Sequence, residues 1–284
     1  MAVASRYTRR SNRRRFGKAS PYLILVLIGI VFLTPLLWML FASVDVHSTL
    51  AVRVPRALTM SNFVAVLSDP GNQRAFLNGL VLSLGQSAVV VVVAGLAAYP
   101  LSRYELSYKR PFLYSIIFAS SLPITVVMVP VYELFIFLNF NDSIFWTTLF
   151  LAASSLPYAI WIMKNFMDSV PVALEEAAWV DGASVWMGLG RVIAPMMMPG
   201  IFTLAIFTFS RSWENFFVPF ILIQSPQKLP ASVSIFQFFG QYGMVDYGKL
   251  AAFSMLYTIP SVLLYVLGQK YMSTGFSFGG ATKG

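Results

Sequence analysis

The sequence predicts an all-α integral membrane protein with six transmembrane helices and with both termini in the cytoplasm. Apolar residues make up 57% of its 284 residues and charged residues only 11%, whereas a soluble domain carries about a quarter charged residues. Its Lys and Arg residues are concentrated on one side of the predicted membrane. Six segments contain about the 20 apolar residues that a spanning helix needs: 21–43, 76–101, 112–138, 144–166, 197–223 and 248–270.

The first span, 21–43, follows a basic tail, 1–20, that holds seven of the twenty Lys and Arg residues. The apolar run is longer than that of a secretory signal peptide, and no small-x-small cleavage site follows it. We therefore expect a retained helix, with the basic tail against anionic membrane lipid. Nucleic acid is not an expected partner, because no aromatic residues interleave these arginines as stacking platforms.

The rest of the chain is predicted to follow in three parts. Residues 44–75 form a polar external loop, and 76–270 form a transmembrane core of five helices. Within this core, an inner loop at about 168–196 joins the fourth and fifth spans. Residues 271–284 form a cytoplasmic tail.

Loop charge sets the orientation of these spans. With the amino terminus inside, the inner segments hold fourteen basic residues and the outer segments hold five, while Arg211 lies within a span. Cytoplasmic loops are enriched in Lys and Arg. The hairpin-like inner loop is therefore placed in the cytoplasm.

Three prolines interrupt the predicted spans: Pro123 and Pro130 in the third, and Pro157 in the fourth. Proline bends a helix and frees carbonyl groups, which in a membrane protein must face protein or a cavity. We expect kinks at these positions, either static or part of a moving gate.

Several kinds of chemistry are excluded by residue type. The chain has no cysteine, so disulfides, zinc–thiolate sites and thiol catalysis are absent. The single histidine, His47, cannot build a metal site alone. One histidine and scattered acids make no catalytic constellation, so the chain is not expected to be an enzyme.

The composition of the inner loop 168–196 is not that of a segment embedded in lipid, because the loop carries four acidic residues: Asp168, Glu175, Glu176 and Asp181. We expect two short helices joined by a turn. Ser169 is a candidate N-cap, with Pro171 in the first turn of the helix that follows.

The sequence also predicts the turn and the second helix of this loop. Gly182 can adopt a left-handed conformation and end the first helix, Ser184 begins the second, and Pro195 precedes the fifth span. The simplest alternative is a surface hairpin that only links two spans. Trp179 and Trp186 weigh against it, because apolar groups exposed in the cytoplasm favour a partner.

The spacing of this loop resembles a known signature. Glu176-Ala177-Ala178, three residues, Gly182, nine residues, Val192, one residue and Ala194-Pro195 is similar to the coupling loop of bacterial type I ABC importer permeases. Val192 and Ala194 replace the Ile and Leu of that signature. Further stretches resemble its carbohydrate-uptake branch, and the last resembles the end of the maltose-type second permease subunit: Asn78, Ala98-Tyr99 to Arg103-Tyr104, Trp213-Glu214-Asn215-Phe216 with Pro219, and Gly279 to Gly284.

The resemblance implies a division of labour. The loop would sit in a groove of a cytoplasmic ATPase dimer that holds ATP and Mg, while this chain binds no cofactor and lacks the Gly-x-x-x-x-Gly-Lys-Ser/Thr pattern of an ATPase. A second homologous permease would complete the pathway, and an extracytoplasmic solute-binding protein would deliver solute to it. The chain itself would lie in the bacterial inner membrane. The implied ATPase-coupling residues are Glu175, Glu176, Ala177, Ala178, Asp181, Gly182, Ala183 and Pro195.

Polar residues inside the spans suggest a solute pathway: Glu133, Arg211, Trp213, Glu214 and Asn215. Charges within a span usually face a bundle interior or an aqueous cavity. The alternative for Arg211 and Glu214 is an ion pair at i, i+3 spacing that locks helices. Trp213 has two interpretations, stacking on a sugar or packing in the core.

Three classes of solute mechanism stay open. The resemblance implies import of a di- or oligosaccharide. A glycerol-phosphate or glycerophosphodiester importer is the second interpretation, with Arg211 on the phosphate. An ion-coupled secondary carrier, using Glu133, Arg211 and Glu214, is the third, although such a carrier does not need the 171–195 loop.

Overall fold

The computed structural model describes residues 4–239 and 245–280, with side chains described for 21–239 and 245–269. Within these ranges the chain is almost entirely helical, with β pairing limited to two isolated bridges, which confirms the all-α class. The long helices are α1 (Ala4–Ser43), α3 (Pro70–Arg103), α6 (Ile144–Asp168), α10 (Met198–Trp213) and α13 (Tyr247–Gly280). The shorter helices are α2 (Ser61–Ser68), α4 (Lys109–Ser120), α5 (Ile124–Phe137), α7 (Val172–Val180), α8 (Val185–Gly188), α9 (Ala194–Met196), α11 (Phe217–Leu222) and α12 (Ala231–Ser234).

Four of these helices contain segments long and apolar enough to cross a membrane: Pro21–Ser43, Pro70–Arg103, Ile144–Asp168 and Tyr247–Gln269. Two further candidates are bent pairs, α4 with α5 at 91° and Val185–Met196 with α10 at 76°. The described part of the chain therefore contains four to six candidate spans. The basic side chains of the predicted tail 1–20 and residues 281–284 lie outside the described residues.

The third predicted span, 112–138, is not one helix. It divides into α4 and α5, and Pro123 precedes α5 in an extended conformation with φ −62° and ψ 127°. The proline ring and the extended backbone end the helical hydrogen-bond ladder here. Pro130 and Pro157 instead lie inside α5 and α6, which continue through them.

The fifth predicted span, 197–223, is also interrupted. Helix α10 ends at Trp213 and α11 begins at Phe217. In the break, the Asn215 side-chain oxygen accepts a hydrogen bond from the Val218 backbone N–H at 3.0 Å. This local bond satisfies a donor at the start of α11 and makes the interruption a stable feature.

Helix α3 begins earlier than the predicted residue 76. Asp69 is its N-cap and accepts a hydrogen bond from the Asn72 N–H at 2.9 Å, and Pro70 occupies the first turn. Both features favour a helix start. The polar first turn of α3 carries no hydropathy signal, so the sequence assigned it to the external loop.

The chain forms two compact units. The first unit comprises Met1–Ser68 and Gln237–Leu256. In it, the Trp38 indole donates to the Thr49 carbonyl at 3.0 Å, and the Asn62 amide donates to the carbonyls of Ser43 and Asp45 at 3.1 and 3.2 Å. These bonds fix the segment that follows α1.

The second unit comprises Asp69–Phe236 and Tyr257–Gly284, and its core is formed by α3, α6 and α10. Small buried residues let these helices approach closely, as expected in membranes: Ala94, Ala98, Ala152 and Ala159. The Gln86 amide donates to Leu151 O and Ser155 Oγ on α6, at 3.2 and 2.9 Å. Ser87 donates to Ala205 O on α10 at 3.0 Å, so α3 is tied to both neighbours.

Candidate functional site

The inner loop forms the predicted helical hairpin, made of α7 and α8. Helix α7 begins at Val172 with Pro171 as its N-cap residue, so the prediction that Ser169 is the N-cap is wrong. Ser169 lies in the α region and ends α6, and its hydroxyl donates to Phe166 O at 2.6 Å. Pro171 is extended, with φ −59° and ψ 130°, and the new helix direction starts there.

The turn of the hairpin is built on Gly182, whose φ is +86°. Its N–H donates to Trp179 O at 3.0 Å, and the Ala183 N–H donates to Ala178 O at 2.9 Å. This pair of bonds is a Schellman motif, in which a residue with positive φ closes a helix. The predicted role of Gly182 in ending the first helix is confirmed.

The second half of the hairpin also follows the prediction. The Ser184 hydroxyl accepts a hydrogen bond from the Met187 N–H at 3.3 Å and caps α8. A π-helical turn, Leu189–Ile193, then connects α8 to α9, and Pro195 lies in the first turn of α9. The chain bends from this segment into α10.

The acidic residues of the hairpin do not share one environment. Glu175 is 1% exposed, whereas Glu176 and Asp181 are exposed. The Tyr99 hydroxyl donates to one oxygen of the Glu175 carboxylate, and Arg103 Nε donates to the other at 2.9 Å. Arg103 Nη2 also donates to Val170 O at 3.1 Å. We call Tyr99, Arg103 and the Val170 carbonyl the Glu175 socket.

A second contact lies beside the socket. The Ser102 hydroxyl donates to Asp168 Oδ1 at 2.7 Å, and Lys164 pairs with the same carboxylate. The end of α6, the start of α7 and the end of α3 are therefore held together. The sequence singled out Tyr99 and Arg103 only through a family pattern, because pairing across more than 70 residues leaves no periodic signal.

The outward face of the hairpin is apolar and exposed. Val180 is 88% exposed and Trp186 is 73% exposed, and Trp179 and Met187 are exposed as well. Beside them lies an open groove of about 270 Å³, large enough to receive a side chain of another protein. Its walls are formed by Ala178, Asp181, Gly182, Ala183, Met187, Arg191 and Val192.

The predicted pathway residues are divided between the surface and the core of the second unit. Glu133 on α5 is exposed, as are Arg211 and Glu214 at the end of α10. Among the described side chains, Arg211 and Glu214 form no ion pair with each other. The locking-pair interpretation of these two residues is therefore not what the structure has.

Trp213 is 2% exposed, and Phe209 and Tyr257 stack against its ring at centroid distances of 5.9 and 5.1 Å. Its indole donates to Tyr257 O at 2.9 Å, and the Tyr257 hydroxyl donates back to Trp213 O at 2.5 Å. Stacking on a sugar is thus not available to Trp213 in this conformation. Asn215 is half-buried and serves the helix break described above.

One polar cluster was missed by the sequence interpretation. Asp142, between α5 and α6, accepts hydrogen bonds from the N–H groups of Gln224 and Ser225, from the Ser225 hydroxyl and from Lys228 Nζ, at 2.6 to 3.0 Å. Burial alone would raise the pKa of the Asp142 carboxyl, but these donors outweigh it and hold that pKa well below its ordinary value. We call Asp142 with Gln224, Ser225 and Lys228 the Asp142 clasp.

Metal ligation has no support in the described part of the chain, where His, Asp and Glu residues do not gather in groups of three or more. The candidate site therefore consists of the exposed apolar hairpin with its groove, together with the exposed charged residues Glu133, Arg211 and Glu214.

Comparison with known proteins agrees with this geometry. The sequence pattern of a family described as "Binding-protein-dependent transport system inner membrane component" matches residues 90–275. The chain is 29% identical, over 93% of its length and 94% of the relative, to a sulfoquinovosyl glycerol transport system permease protein of Agrobacterium fabrum. It is 30% identical, over 91% of its length and 94% of the relative, to a trehalose/maltose transport system permease protein of Thermococcus litoralis.

Among solved structures, the fold is similar to the crystal structure of a bacterial ABC transporter involved in the import of the acidic polysaccharide alginate. The TM-score is 0.80 and the identity is 20%, with 92% of this chain and 98% of that chain covered. At this identity the likeness concerns the fold. The family pattern spans more than half of the chain and the relatives span nearly all of it, so the chain belongs to the family of binding-protein-dependent transport system inner membrane components.

Proposed function

We propose that this chain is a permease subunit of an ATP-driven sugar importer in the bacterial inner membrane, and that it forms half of the translocation pathway. The observation that carries the proposal is the hairpin of α7 and α8. It is anchored through Glu175 and presents Val180 and Trp186 to water, an arrangement that favours a partner protein. ATP hydrolysis would be supplied by that partner.

The coupling surface consists of the hairpin groove and the residues around it. A dimer of cytoplasmic ATPase subunits, holding ATP and Mg, would receive this surface, while this chain holds no cofactor. Glu176 and Asp181 are exposed there and can pair with basic groups of the ATPase. Ala177, Ala178 and Ala183 keep the approach close, Gly182 shapes the turn, and Pro195 sets the start of α9.

The topology that fits this role has six spans. It counts α4 with α5 as one span and residues 197–223, which contain α10 and α11, as another, beside the four long helices, so that α8 stays outside the membrane. Both termini and the hairpin then lie in the cytoplasm, in agreement with the excess of inner basic residues. The Asp142 clasp lies on the external side in this arrangement.

Two further partners complete the importer. A second homologous permease would supply the other half of the pathway, and an extracytoplasmic solute-binding protein would deliver solute. Support comes from the family description, which names binding-protein dependence, and from a solved alginate transporter crystallised with a periplasmic protein that carries an alginate pentasaccharide.

The proposed solute is a di- or oligosaccharide. Support comes from relatives whose names specify trehalose/maltose, diacetylchitobiose and sulfoquinovosyl glycerol. The second candidate is a glycerol-phosphate or glycerophosphodiester. Arg211 favours it, because its guanidinium is exposed within a span and can form a bidentate pair with an anionic group.

The experiment measures solute transport by the purified complex in lipid vesicles. The binding protein is supplied at the external face of the permease and ATP at the cytoplasmic face. Labelled maltose, trehalose, diacetylchitobiose and glycerol 3-phosphate serve as probes. We expect uptake of one sugar only when ATP, ATPase and binding protein are all present. Uptake driven by a proton gradient without the ATPase would contradict the proposal and favour a secondary carrier, and uptake of glycerol 3-phosphate alone would favour the second candidate.

A further inference from the structure

Glu175 lies in the coupling hairpin, yet no partner protein can reach it. Its carboxylate is 1% exposed, and the side chain of its ion-pair partner Arg103 is 4% exposed. A buried carboxylate persists only where donors and an opposite charge compensate for the loss of water. Here every donor comes from α3 of the same chain, so the pair faces inward and contributes nothing to the docking surface.

We propose that the Glu175 socket is a rigid joint that passes displacement of α7 directly to α3 during transport. Tyr99, Arg103 and Glu175 are in this sense positioning residues. The inference rests on the proposed function, because the displacement would come from the ATPase.

Geometry supports a joint that does not slide. Tyr99 and Arg103 are four residues apart on α3 and therefore lie on one helix face. Each donates to a different oxygen of the same carboxylate, and Arg103 also holds the Val170 carbonyl just before α7. In a site shielded from water, breaking such a pair leaves a buried charge uncompensated.

The joint is also connected to the core of the second unit through α3. Helix α3 continues from the socket into the core, where Gln86 bonds to α6 and Ser87 bonds to α10. A Cβ at Gly79 would lie 3.0 Å from the Trp213 ring, so this part of α3 is in close contact with α10. Movement of the α3 end would therefore reach α10, which carries the exposed Arg211 and ends just before Glu214.

The first test is a distance measurement that needs no solute. The chain has no cysteine, so spin labels can be placed at Val172→Cys on α7 and Leu77→Cys on α3, two exposed positions. In the complex with ATPase, we expect the same distance without nucleotide and with ATP and vanadate. A distance that changes between these states in the otherwise native chain would overturn the joint and indicate a hinge.

The second test compares matched Glu→Gln substitutions. Glu175→Gln removes the charge in the socket, whereas Glu105→Gln removes an exposed charge two residues beyond Arg103. We expect Glu175→Gln to raise the ATP consumed per sugar imported by roughly 2- to 30-fold, the range that mutations along a coupling network produce. Glu105→Gln should leave this ratio unchanged.

The outcomes separate the two proposals. An unchanged ratio in Glu175→Gln would overturn the joint while leaving the importer intact. If the wild-type complex shows no ATP-dependent uptake in the same vesicles, the proposed function fails, and the joint fails with it. Because the distance test keeps Glu175, Tyr99 and Arg103, it holds even if Glu175→Gln does not fold.

Discussion

Trp213 is fixed by contacts on several sides within the second unit. Phe209 and Tyr257 stack on its ring, Gly79 gives it room on α3, and two hydrogen bonds join it to Tyr257. Such a residue contributes to stability through buried area and through satisfied polar groups. Its effect on transport is expected to be indirect.

We expect Trp213→Ala to lower the free energy of unfolding by about 3–5 kcal/mol, because it leaves a cavity and removes a buried hydrogen bond. Thermal unfolding of the purified chain in lipid nanodiscs measures this. Trp161→Ala, at a partly exposed position of α6, is the matched control and should cost less. Unchanged stability together with a raised KM for solute would contradict the packing role.

Gly182 carries a different constraint, its backbone conformation. A Cβ at this position would meet open space among the described residues, so only the φ of +86° opposes substitution. We expect Gly182→Ala to destabilise the turn by about 1–2 kcal/mol and Gly182→Asn by less, since Asn tolerates this region better. Hydrogen exchange of the α7 amides measures the effect. Gly190→Ala, where φ lies outside the left-handed region, is the control, and equal effects at both glycines would contradict the Schellman account.

At the scale of elements, the Asp142 clasp joins the α5–α6 turn to the segment after α11. Asn139 and Asp142 both have positive φ, at 56° and 54°, which Asn and Asp tolerate better than other residues. The carboxylate then accepts hydrogen bonds from the N–H groups of Gln224 and Ser225, which lie beyond the end of α11. The clasp thus stabilises two irregular segments at once.

Asp142→Asn is expected to lower stability at pH 7 by about 1.5–3 kcal/mol, the usual contribution of hydrogen bonds to a charged group. The folded-state pKa of Asp142 is depressed well below the unfolded value of about 3.9. This contribution is therefore fully present above the unfolded pKa, begins to decrease as the pH falls below it, and is lost completely only below the folded-state pKa. Unfolding of both proteins at pH 7, 5 and 3 measures this. Asp246→Asn, in the more exposed pair with Lys249, should change stability by at most about 1 kcal/mol. A difference between wild type and Asp142→Asn that is as large at pH 3 as at pH 7 would count against the clasp.

At the scale of the whole molecule, orientation in the membrane is the property to test. Because the chain has no cysteine, single cysteines report their own side. We expect Val180→Cys to react with an impermeant maleimide only from the cytoplasmic side and Leu58→Cys only from the opposite side, both positions being exposed. Spheroplasts and inside-out vesicles separate the two cases. The reverse pattern would invert the proposed topology.

Much of the fold was predictable because hydropathy and loop charge are local properties of the sequence. Residue type and spacing predicted the apolar spans in α1, α3, α6 and α13. They also predicted the hairpin turn at Gly182 and the cap at Ser184. The kink expected at Pro123 in the third span is present as the break between α4 and α5, whereas the break in the fifth span was not predicted. The break in the fifth span involves the hydrogen bond from the Val218 N–H to the Asn215 side chain, which a hydropathy window cannot register.

The sequence by itself determined the membrane class and the helical hairpin that follows the fourth predicted span, and its lack of cysteine excludes thiol chemistry. Only the tertiary structure decided the roles of individual polar residues. Two adjacent glutamates, Glu175 and Glu176, look alike in the sequence, yet one is enclosed by Tyr99 and Arg103 and the other faces water. The physical reason is that burial and pairing depend on residues far apart in the chain, which only packing brings together.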